Sequence, residues 1–505
     1  MFRKVLVANR GEIAVRILRA CRDLGITSVA VYSDADRASL HVRLADEAYA
    51  IGPAPSAESY LAVGKIIDTA KRCGADAIHP GYGFLSENPN FARTCAEAGI
   101  RMVGPSAESM RLMGSKTGAR SALAGTGVPL IPGTCRPLES LEECLAEAGR
   151  IGYPVMIKAS AGGGGKGMRL VRDEAHMAED FVAAASEAQN AFGDPSVYLE
   201  KYIARPRHVE IQVLADRHGN AVYLGERECS LQRRHQKVIE ECPSPVMNED
   251  LRRRMGEAAL RVVAAAEYEN AGTVEFLLDD DLNFYFLEMN TRLQVEHPVT
   301  EIVTGLDLVE LQLRIAAGEP LPIRQRDVRL HGWALECRVY AEDPEHNFFP
   351  CPGTIRDLVE PQGPGIRVDS GVYRGWEVPI HYDPLLAKLV AFGSSRPQAI
   401  ARMRRAISEY RIVGIRTSLD FFTGLLGDPE FAAGRLSTHF IDEYLRRRPR
   451  PVKSEEAVKA ATLSAALAYA NAARNGKSGV VRPPESAWRM SGRPGGSRPH
   501  RGWRY

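Results

Sequence analysis

The first thirty residues constrain the fold most. Val5-Leu6-Val7-Ala8 is a short continuous apolar run, and Asn9-Arg10-Gly11-Glu12 is a turn. Ile13 to Leu24 has apolar residues at helical spacing and stops at Gly25, and Thr27-Ser28-Val29-Ala30-Val31-Tyr32 is a second apolar run. That switch of period, from strand to helix and back, predicts a βαβ unit. Two strands joined by a helical crossover lie parallel in one sheet, and such sheets are covered on both faces. The alternation continues through Ala77-Ile78-His79-Pro80 and Ile100-Arg101-Met102-Val103-Gly104-Pro105, so residues 1–114 are expected to form a Rossmann-like parallel α/β domain. The first turn lacks G-x-G-x-x-G, so a dinucleotide is not the expected ligand.

The chain has 505 residues, more than one hydrophobic core usually organises, and further domains are expected. Residues 115–330 mix hairpin patterns with helices such as Leu251 to Glu267, and residues 331–447 carry strand-like runs and a helix at Arg396 to Glu409. The last segment is 448–505, where the composition shifts after Arg446-Arg447-Arg448-Pro449-Arg450-Pro451. It passes through an Ala-rich candidate helix, Ser454 to Ala473, into a Gly/Pro/Arg/Ser-rich end that is expected to be partly disordered. A net charge of +2 gives no general attraction to nucleic acid or membrane, and no apolar stretch reaches the ~20 residues of a membrane span. Nine scattered cysteines without a C-x-x-C pair suit a reduced, cytoplasmic location better than a zinc site or a disulfide framework.

Three local patterns carry chemistry. The first is Tyr153-Pro154-Val155-Met156-Ile157-Lys158-Ala159-Ser160-Ala161-Gly162-Gly163-Gly164-Gly165-Lys166-Gly167-Met168-Arg169-Leu170-Val171, two strand-like segments around a glycine run. Without a following G-K-[ST] and helix it is not a Walker loop; as a flap, its bare backbone N–H groups could approach phosphate oxygens while Lys158 supplies charge. A loose loop with an incidental lysine is the plain alternative. The second is Val274-Glu275-Phe276-Leu277-Leu278, the polar turn Asp279-Asp280-Asp281, and Phe284-Tyr285-Phe286-Leu287-Glu288-Met289-Asn290-Thr291-Arg292. Strand parity puts Glu288 and Asn290 on one face, and a hairpin can set Glu275 opposite, so three oxygen donors of the kind magnesium prefers would converge. A solvated face balanced by Lys or Arg across the strands fits the same pattern. The third is Gln232-Arg233-Arg234-His235-Gln236-Lys237 together with Arg292-Leu293-Gln294-Val295-Glu296-His297, cations with an acid nearby, suited to an anionic substrate or simply to a charged surface.

Taken in order with Ala8-Asn9-Arg10-Gly11-Glu12-Ile13-Ala14 and His79-Pro80-Gly81-Tyr82-Gly83-Phe84-Leu85-Ser86-Glu87-Asn88, these motifs resemble the biotin carboxylase family of ATP-grasp ligases over residues 1–445. The resemblance implies an α/β and α+β protein. Its parts would be the N-terminal parallel domain, a central ATP-grasp fold over 115–330 with a glycine-rich lid at about 131–204, and a C-terminal mixed α+β domain over 331–447. It implies that ATP is contacted by Lys116, Lys158, Gly164, Gly165, Glu200, Lys201, Tyr202, Ile203, His208, Gln232, His235, Glu275 and Glu288. Two magnesium or manganese ions would be held by Glu275, Glu288 and Asn290. Bicarbonate would meet Lys237, Arg292, Gln294, Val295 and Glu296, with Glu296 as general base, and biotin would lie by Tyr82 and Arg338; Lys237, Arg292, Glu296 and Arg338 form the implied catalytic set.

The implied reaction makes carboxyphosphate from ATP and bicarbonate and then carboxylates biotin. No A/V-M-K-M acceptor sequence occurs here, so the biotin would be borne by a separate carrier protein and passed to carboxyltransferase subunits. The final acceptor, acetyl-CoA by preference, or propionyl-CoA or pyruvate, would be chosen by that transferase. A homodimer in the cytoplasm is expected, with neither membrane nor nucleic acid as a partner; weak RNA contact by the tail arginines with Trp488 and Trp503 is the less favoured reading of that segment. Two departures stand out: the turn Asp279-Asp280-Asp281-Leu282-Asn283 is slightly long, which should move only the hairpin tip, and the last ~55 residues inherit nothing from the resemblance. A carbamoyl-phosphate or purine-pathway ligase of the same fold is the alternative enzyme, and a non-catalytic ATP sensor the alternative of another class.

Overall fold

In the computed structural model, residues 1–138, 140–160, 167–448 and 455–475 are described. The opening pattern folds as expected: β1 (Lys4–Val7), β2 (Thr27–Ser33), β3 (Glu47–Gly52), β4 (Ala77–His79) and β5 (Arg101–Met102) form a parallel sheet in the order β3-β2-β1-β4-β5. The helix Gly11–Asp23 buries Ile13, Ala14, Ile17, Leu18 and Cys21, the spacing that marked it as amphipathic. At the carboxyl ends of β1 and β2 the Arg10 guanidinium grips both oxygens of Asp36, at 2.6 and 2.8 Å. Tyr60 donates to Asp36 at 2.7 Å and the Tyr382 ring lies 4.4 Å from the guanidinium carbon of Arg10, so side chains occupy this end of the sheet.

A small antiparallel sheet follows, β6 (Val155–Ala159), β7 (Met168–Val171) and β8 (Val197–Lys201), in the order β7-β6-β8. Helices Leu141–Ile151 and Met177–Phe192 cover it, and Cys144, Ala148, Val155, Ile157, Val171, Met177 and Leu199 form a core of its own. The large antiparallel sheet comprises β9 (Arg207–Ala215), β10 (Ala221–Arg233), β11 (Gln236–Cys242), β12 (Asn270–Leu278), β13 (Phe284–Asn290), β14 (Trp333–Tyr340), β15 (Ile366–Ser370) and β16 (Leu385–Gly393). Its order is β13-β12-β9-β10-β11-β14-β16-β15, so one continuous sheet carries strands from both sides of residue 330. Helix Glu249–Ala265, capped by Asn248 on the Leu251 N–H at 2.8 Å, packs Met255, Ala259 and Val262 on the β9/β12 half, and helix Arg396–Glu409 packs Met403 and Ala406 on the β14/β16 half.

These elements lie in the unit Met1–Arg446; the second unit, Arg447–Tyr505, contains the helix Glu455–Asn475, with Leu463, Leu467 and Tyr469 exposed. The Ala-rich pattern had placed that helix within two residues at each end. The remainder of the tail, including Trp488 and Trp503, lies outside the described residues. No described helix is long and apolar enough to cross a membrane.

Candidate active site

Glu275 and Glu288 are direct partners across the antiparallel pair β12/β13, and Thr273 faces Asn290. The tight end of the hairpin does not set this register. Leu278 pairs with Phe284 and Phe276 with Phe286, which would continue to place Leu287 opposite Glu275; instead the register shifts there, Leu287 is the extra residue, and Glu288 faces Glu275. A bulge of this kind re-aims a side chain from one face to the other. The long turn disturbs only the tip: Asp279 accepts from Asp281 N, Asn283 N and Asn283 Nδ2 at 2.9–3.0 Å.

The same sheet face continues across β9 and β10. Glu210 pairs with Glu275 on one side and with Arg227 on the other, lining Glu288, Glu275, Glu210 and Arg227 across four strands. Arg227 is fully buried and spends all of its N–H groups: Nε on Glu210, Nη1 on Gln212 (2.7 Å) and Thr300 (3.0 Å), Nη2 on Thr273 (3.0 Å) and Gln294 (2.5 Å). Lys237 Nζ reaches Glu210, Glu275 at 2.9 Å and Glu296 at 2.7 Å. Burial alone would raise the Glu296 carboxyl, but Lys237, Arg338 and Arg227 overcome it and hold it well below the usual carboxylate range. Arg338 joins the chain from β14, its Nη2 3.0 Å from Glu296 and its Nε 2.6 Å from Glu240. Arg292 donates Nε to Glu87 at 2.9 Å and Nη2 to Asn290 at 2.8 Å.

Around the metal-type acids, Glu275 accepts from Asn290 (2.9 Å) and Gln294 (2.7 Å), and His208 Nε2 lies 2.8 Å from it. Burial opposes ionisation of Glu275, yet Lys237 and His208 keep its carboxyl below the ordinary value. Glu288 stands open to solvent with no hydrogen bond or ion pair among the described residues; burial of its surroundings and the neighbouring Glu275 raise its pKa. Two facing carboxylates, one without a partner among the described residues, form a donor set that hard divalent cations suit. His208, Glu210 and Glu275 also bring ligand atoms within 4.8 Å of one another.

On the small sheet, Lys158 pairs with Glu200, whose other oxygen accepts from Arg120 at 2.7 Å. Burial lowers the pKa of Lys116, helped by the nearby Lys158 charge, while Glu288 and Glu200 oppose it. This puts Lys116, Lys158 and Glu288 in one electrostatic neighbourhood. Lys201 directs its ammonium to the Gly152 and Tyr153 carbonyls at 2.8 and 3.1 Å, and Tyr202 and Ile203 follow at the end of β8. Gln232 Nε2 lies 2.6 Å from His208 Nδ1, whereas His235 is exposed at the β10/β11 turn with φ +65°. The Val295 carbonyl accepts from Lys388 at 3.0 Å, and the Tyr82 ring lies 5.9 Å from the same ammonium. His79 is fully buried, and burial lowers its pKa to about 3, so it is a neutral core residue. Gly164 and Gly165 lie outside the described residues.

Sequence reasoning missed Glu87, Glu210, Arg227 and Glu240. A signal existed for Glu210: in Arg207-His208-Val209-Glu210-Ile211-Gln212-Val213 the polar residues alternate with Val and Ile, which sets His208, Glu210 and Gln212 on one face. Nothing local marks Arg227 or Glu240, whose partners are more than ten residues away.

The comparisons with known proteins agree with this geometry. Family models match "Biotin carboxylase, N-terminal domain" over residues 1–110, "Carbamoyl-phosphate synthase L chain, ATP binding domain" over 115–324 and "Biotin carboxylase C-terminal domain" over 336–443. Biotin carboxylase 1 of Bacillus subtilis is 52% identical over 445 residues, 88% of this chain and 99% of that protein. A pyruvate carboxylase subunit of Methanothermobacter thermautotrophicus is 53% identical over 447 residues, 88% of this chain and 91% of that one. The crystal structure of the biotin carboxylase domain dimer of Hydrogenobacter thermophilus 2-oxoglutarate carboxylase, in complex with MgADP, ADP and bicarbonate, superposes with a TM-score of 0.85 at 45% identity, covering 90% of this chain and 100% of that one. With its parallel N-terminal sheet, its facing acids and its basic cradle, the chain belongs to the biotin carboxylase family, ATP-dependent ligases that serve as subunits of biotin-dependent carboxylases.

Proposed function

We propose that the chain carboxylates biotin on a separate carrier protein, using MgATP and bicarbonate, with the residues of this site in defined roles. The observation that carries the proposal is the buried chain Lys237–Glu296–Arg338 beside the facing pair Glu275 and Glu288. Glu275, Glu288 and Asn290 would hold two magnesium ions, which would supply charge neutralisation on the phosphates. Lys116, Lys158, Gly164, Gly165, His208, Gln232, His235 and the Glu200–Ile203 segment would contact the nucleotide.

Bicarbonate sits on Lys237, Arg292, Gln294 and the Val295 backbone. Glu296 takes its proton, and the dianion attacks the γ-phosphorus of ATP, releasing ADP and forming carboxyphosphate. As a free group Glu296 is a weak base because two cations hold it; bicarbonate drawing Lys237 toward itself would raise its basicity when it is needed. Carboxyphosphate splits to carbon dioxide and phosphate, phosphate takes the ureido proton, and Arg338 stabilises the biotin enolate that attacks carbon dioxide, with Tyr82 alongside. Excluding water protects carboxyphosphate from hydrolysis.

The finer reading is the biotin carboxylase subunit of an acetyl-CoA carboxylase; the match along nearly the whole Bacillus subtilis Biotin carboxylase 1 supports a separate biotin carboxylase subunit without naming an acceptor, and the match to the Methanothermobacter pyruvate carboxylase subunit favours pyruvate as the second reading. A cytoplasmic homodimer acting with a carrier and a carboxyltransferase completes the proposal. The test is ADP release with free biotin and bicarbonate. Arg338→Ala should lower carboxylation by a factor on the order of 10² while ATP still binds, the scale of losing one preorganised donor. Carboxylation by Arg338→Ala at the parent rate would overturn the role of Arg338. Co-purification of the biotinylated partner, followed by assays with acetyl-CoA, propionyl-CoA and pyruvate, decides the acceptor.

A further inference from the structure

Behind Arg338 lies a group of buried acids that the proposed reaction does not use. Glu240 on β11 and Glu336 on β14 are direct cross-strand partners, both fully buried. Glu240 Oε1 accepts from Arg338 Nε at 2.6 Å, while its Oε2 and both oxygens of Glu336 have no hydrogen-bond partner among the described residues. Cations around the pair are few: Arg338 on β14, Lys237 at the start of β11, and Lys388 on β16, directly opposite Arg338. Lys388 is otherwise committed to Glu12 at 3.1 Å and to the Val295 carbonyl. Two adjacent buried carboxylates facing one available guanidinium cannot both stay ionised.

We propose that Glu240 is the positioning residue that aims the Arg338 guanidinium, and that Glu336 stands beside it as a neutral acid, leaving Glu240 as the single anion on that side of Arg338. The geometry explains why such a residue is needed. Arg338 is held from two sides, by Glu240 through Nε and by Glu296 through Nη2. Without Glu240 the only carboxylate bonded to it among the described residues is the general base, so the guanidinium would turn toward Glu296 and away from the enolate oxygen it is meant to meet. Burial raises both acids, but the Arg338 guanidinium holds Glu240 to about 7, whereas Glu336, next to the Glu240 carboxylate, is pushed well above the usual carboxylate range.

This inference rests on the role of Arg338 given above, and the experiment separates the two. In the full-length protein, carboxylation of free biotin is measured against biotin concentration, and bicarbonate-dependent ATP hydrolysis is measured without biotin. Glu240→Gln should lose roughly ten- to a hundredfold in biotin carboxylation, the scale of a misplaced catalytic group, and keep its KM for bicarbonate in the ATPase within about twofold. Glu240→Asp, which restores the anion, should recover part of that loss. Glu336→Gln, a neutral amide for a neutral acid, should keep the parent urea midpoint at pH 7. If Arg338→Ala is impaired but Glu240→Gln carboxylates biotin like the parent, this inference fails while the reading of the site stands. If Arg338→Ala is unimpaired, the underlying reading fails. Equal loss of both activities in Glu240→Gln would mark a merely structural residue, and a lowered midpoint for Glu336→Gln would refute the neutral acid.

Discussion

Arg227→Lys keeps the buried charge and removes the fork. Arginine offers five N–H donors here and all are used, on Glu210, Gln212, Thr300, Thr273 and Gln294. Lysine has three, so at least two of those acceptors lose their partner in a place water does not reach, and each buried unsatisfied group costs about 1–3 kcal/mol. The expected destabilisation is therefore about 2–6 kcal/mol, read as a lower urea midpoint of the intact chain. Catalysis should suffer in a particular way. Gln294 is held by Arg227 on one side and bonded to Glu275 at 2.7 Å on the other, so its release loosens the proposed bicarbonate pocket. A charge-assisted bond of about 1.5–3 kcal/mol corresponds to roughly ten- to a hundredfold in bicarbonate-dependent ATPase, appearing mainly in KM for bicarbonate. A variant with the parent midpoint and the parent KM would refute the idea that Arg227 organises this wall of the site.

Three further outcomes are expected. Glu288→Gln should raise the magnesium needed for half-maximal ATPase by on the order of tenfold or more, measured by titrating the ion at fixed ATP. Deleting Leu287 removes the extra residue and should leave Glu288 opposite Glu275 in an unbroken ladder, so metal-dependent ADP release should persist with the circular dichroism of the chain retained; its loss would show that the bulge itself is needed to aim the carboxylate. Glu12→Gln tests a buried acid raised to about 7, chiefly by burial and against the pull of Lys388. An acid raised in the folded state binds its proton more tightly than the unfolded chain does, so its stabilising effect is full below about pH 4.5 and is lost as pH rises through about 7. The parent should lose more stability than Glu12→Gln between pH 5 and pH 8, in urea midpoints, by at most about 1.4 kcal/mol per pH unit.

Much of this was legible because the informative residues are neighbours in sequence. Strand parity linked Glu288 with Asn290, and the switch of periodicity marked the parallel N-terminal sheet from Val5 to Tyr32. The face-to-face position of Glu275 was anticipated as a hairpin contact, but not the bulge that produces it, since no residue type announces Leu287 as the extra one. The charge chain was opaque for another reason. Arg227 and Glu210 meet across β9 and β10, and Glu240 reaches Arg338 across 98 residues, so their partners emerge only with sheet order. The continuity of the large sheet past residue 330 was hidden likewise, because an antiparallel edge can accept a strand from any later part of the chain.

The bulge at Leu287 also uncouples two parts of the hairpin that differ in how much change they can absorb. Because the alignment of the acids is reset between the tip and the carboxylates, residues Asp279–Asn283 lie on the far side of the reset, tied mainly to one another through Asp279. Insertions and deletions at the loop can therefore accumulate without reaching the chemistry, whereas a residue inserted between Leu287 and Glu288 would displace one acid from the other. Drift in length among descendants of this sequence should collect at the tip and stop at Leu287.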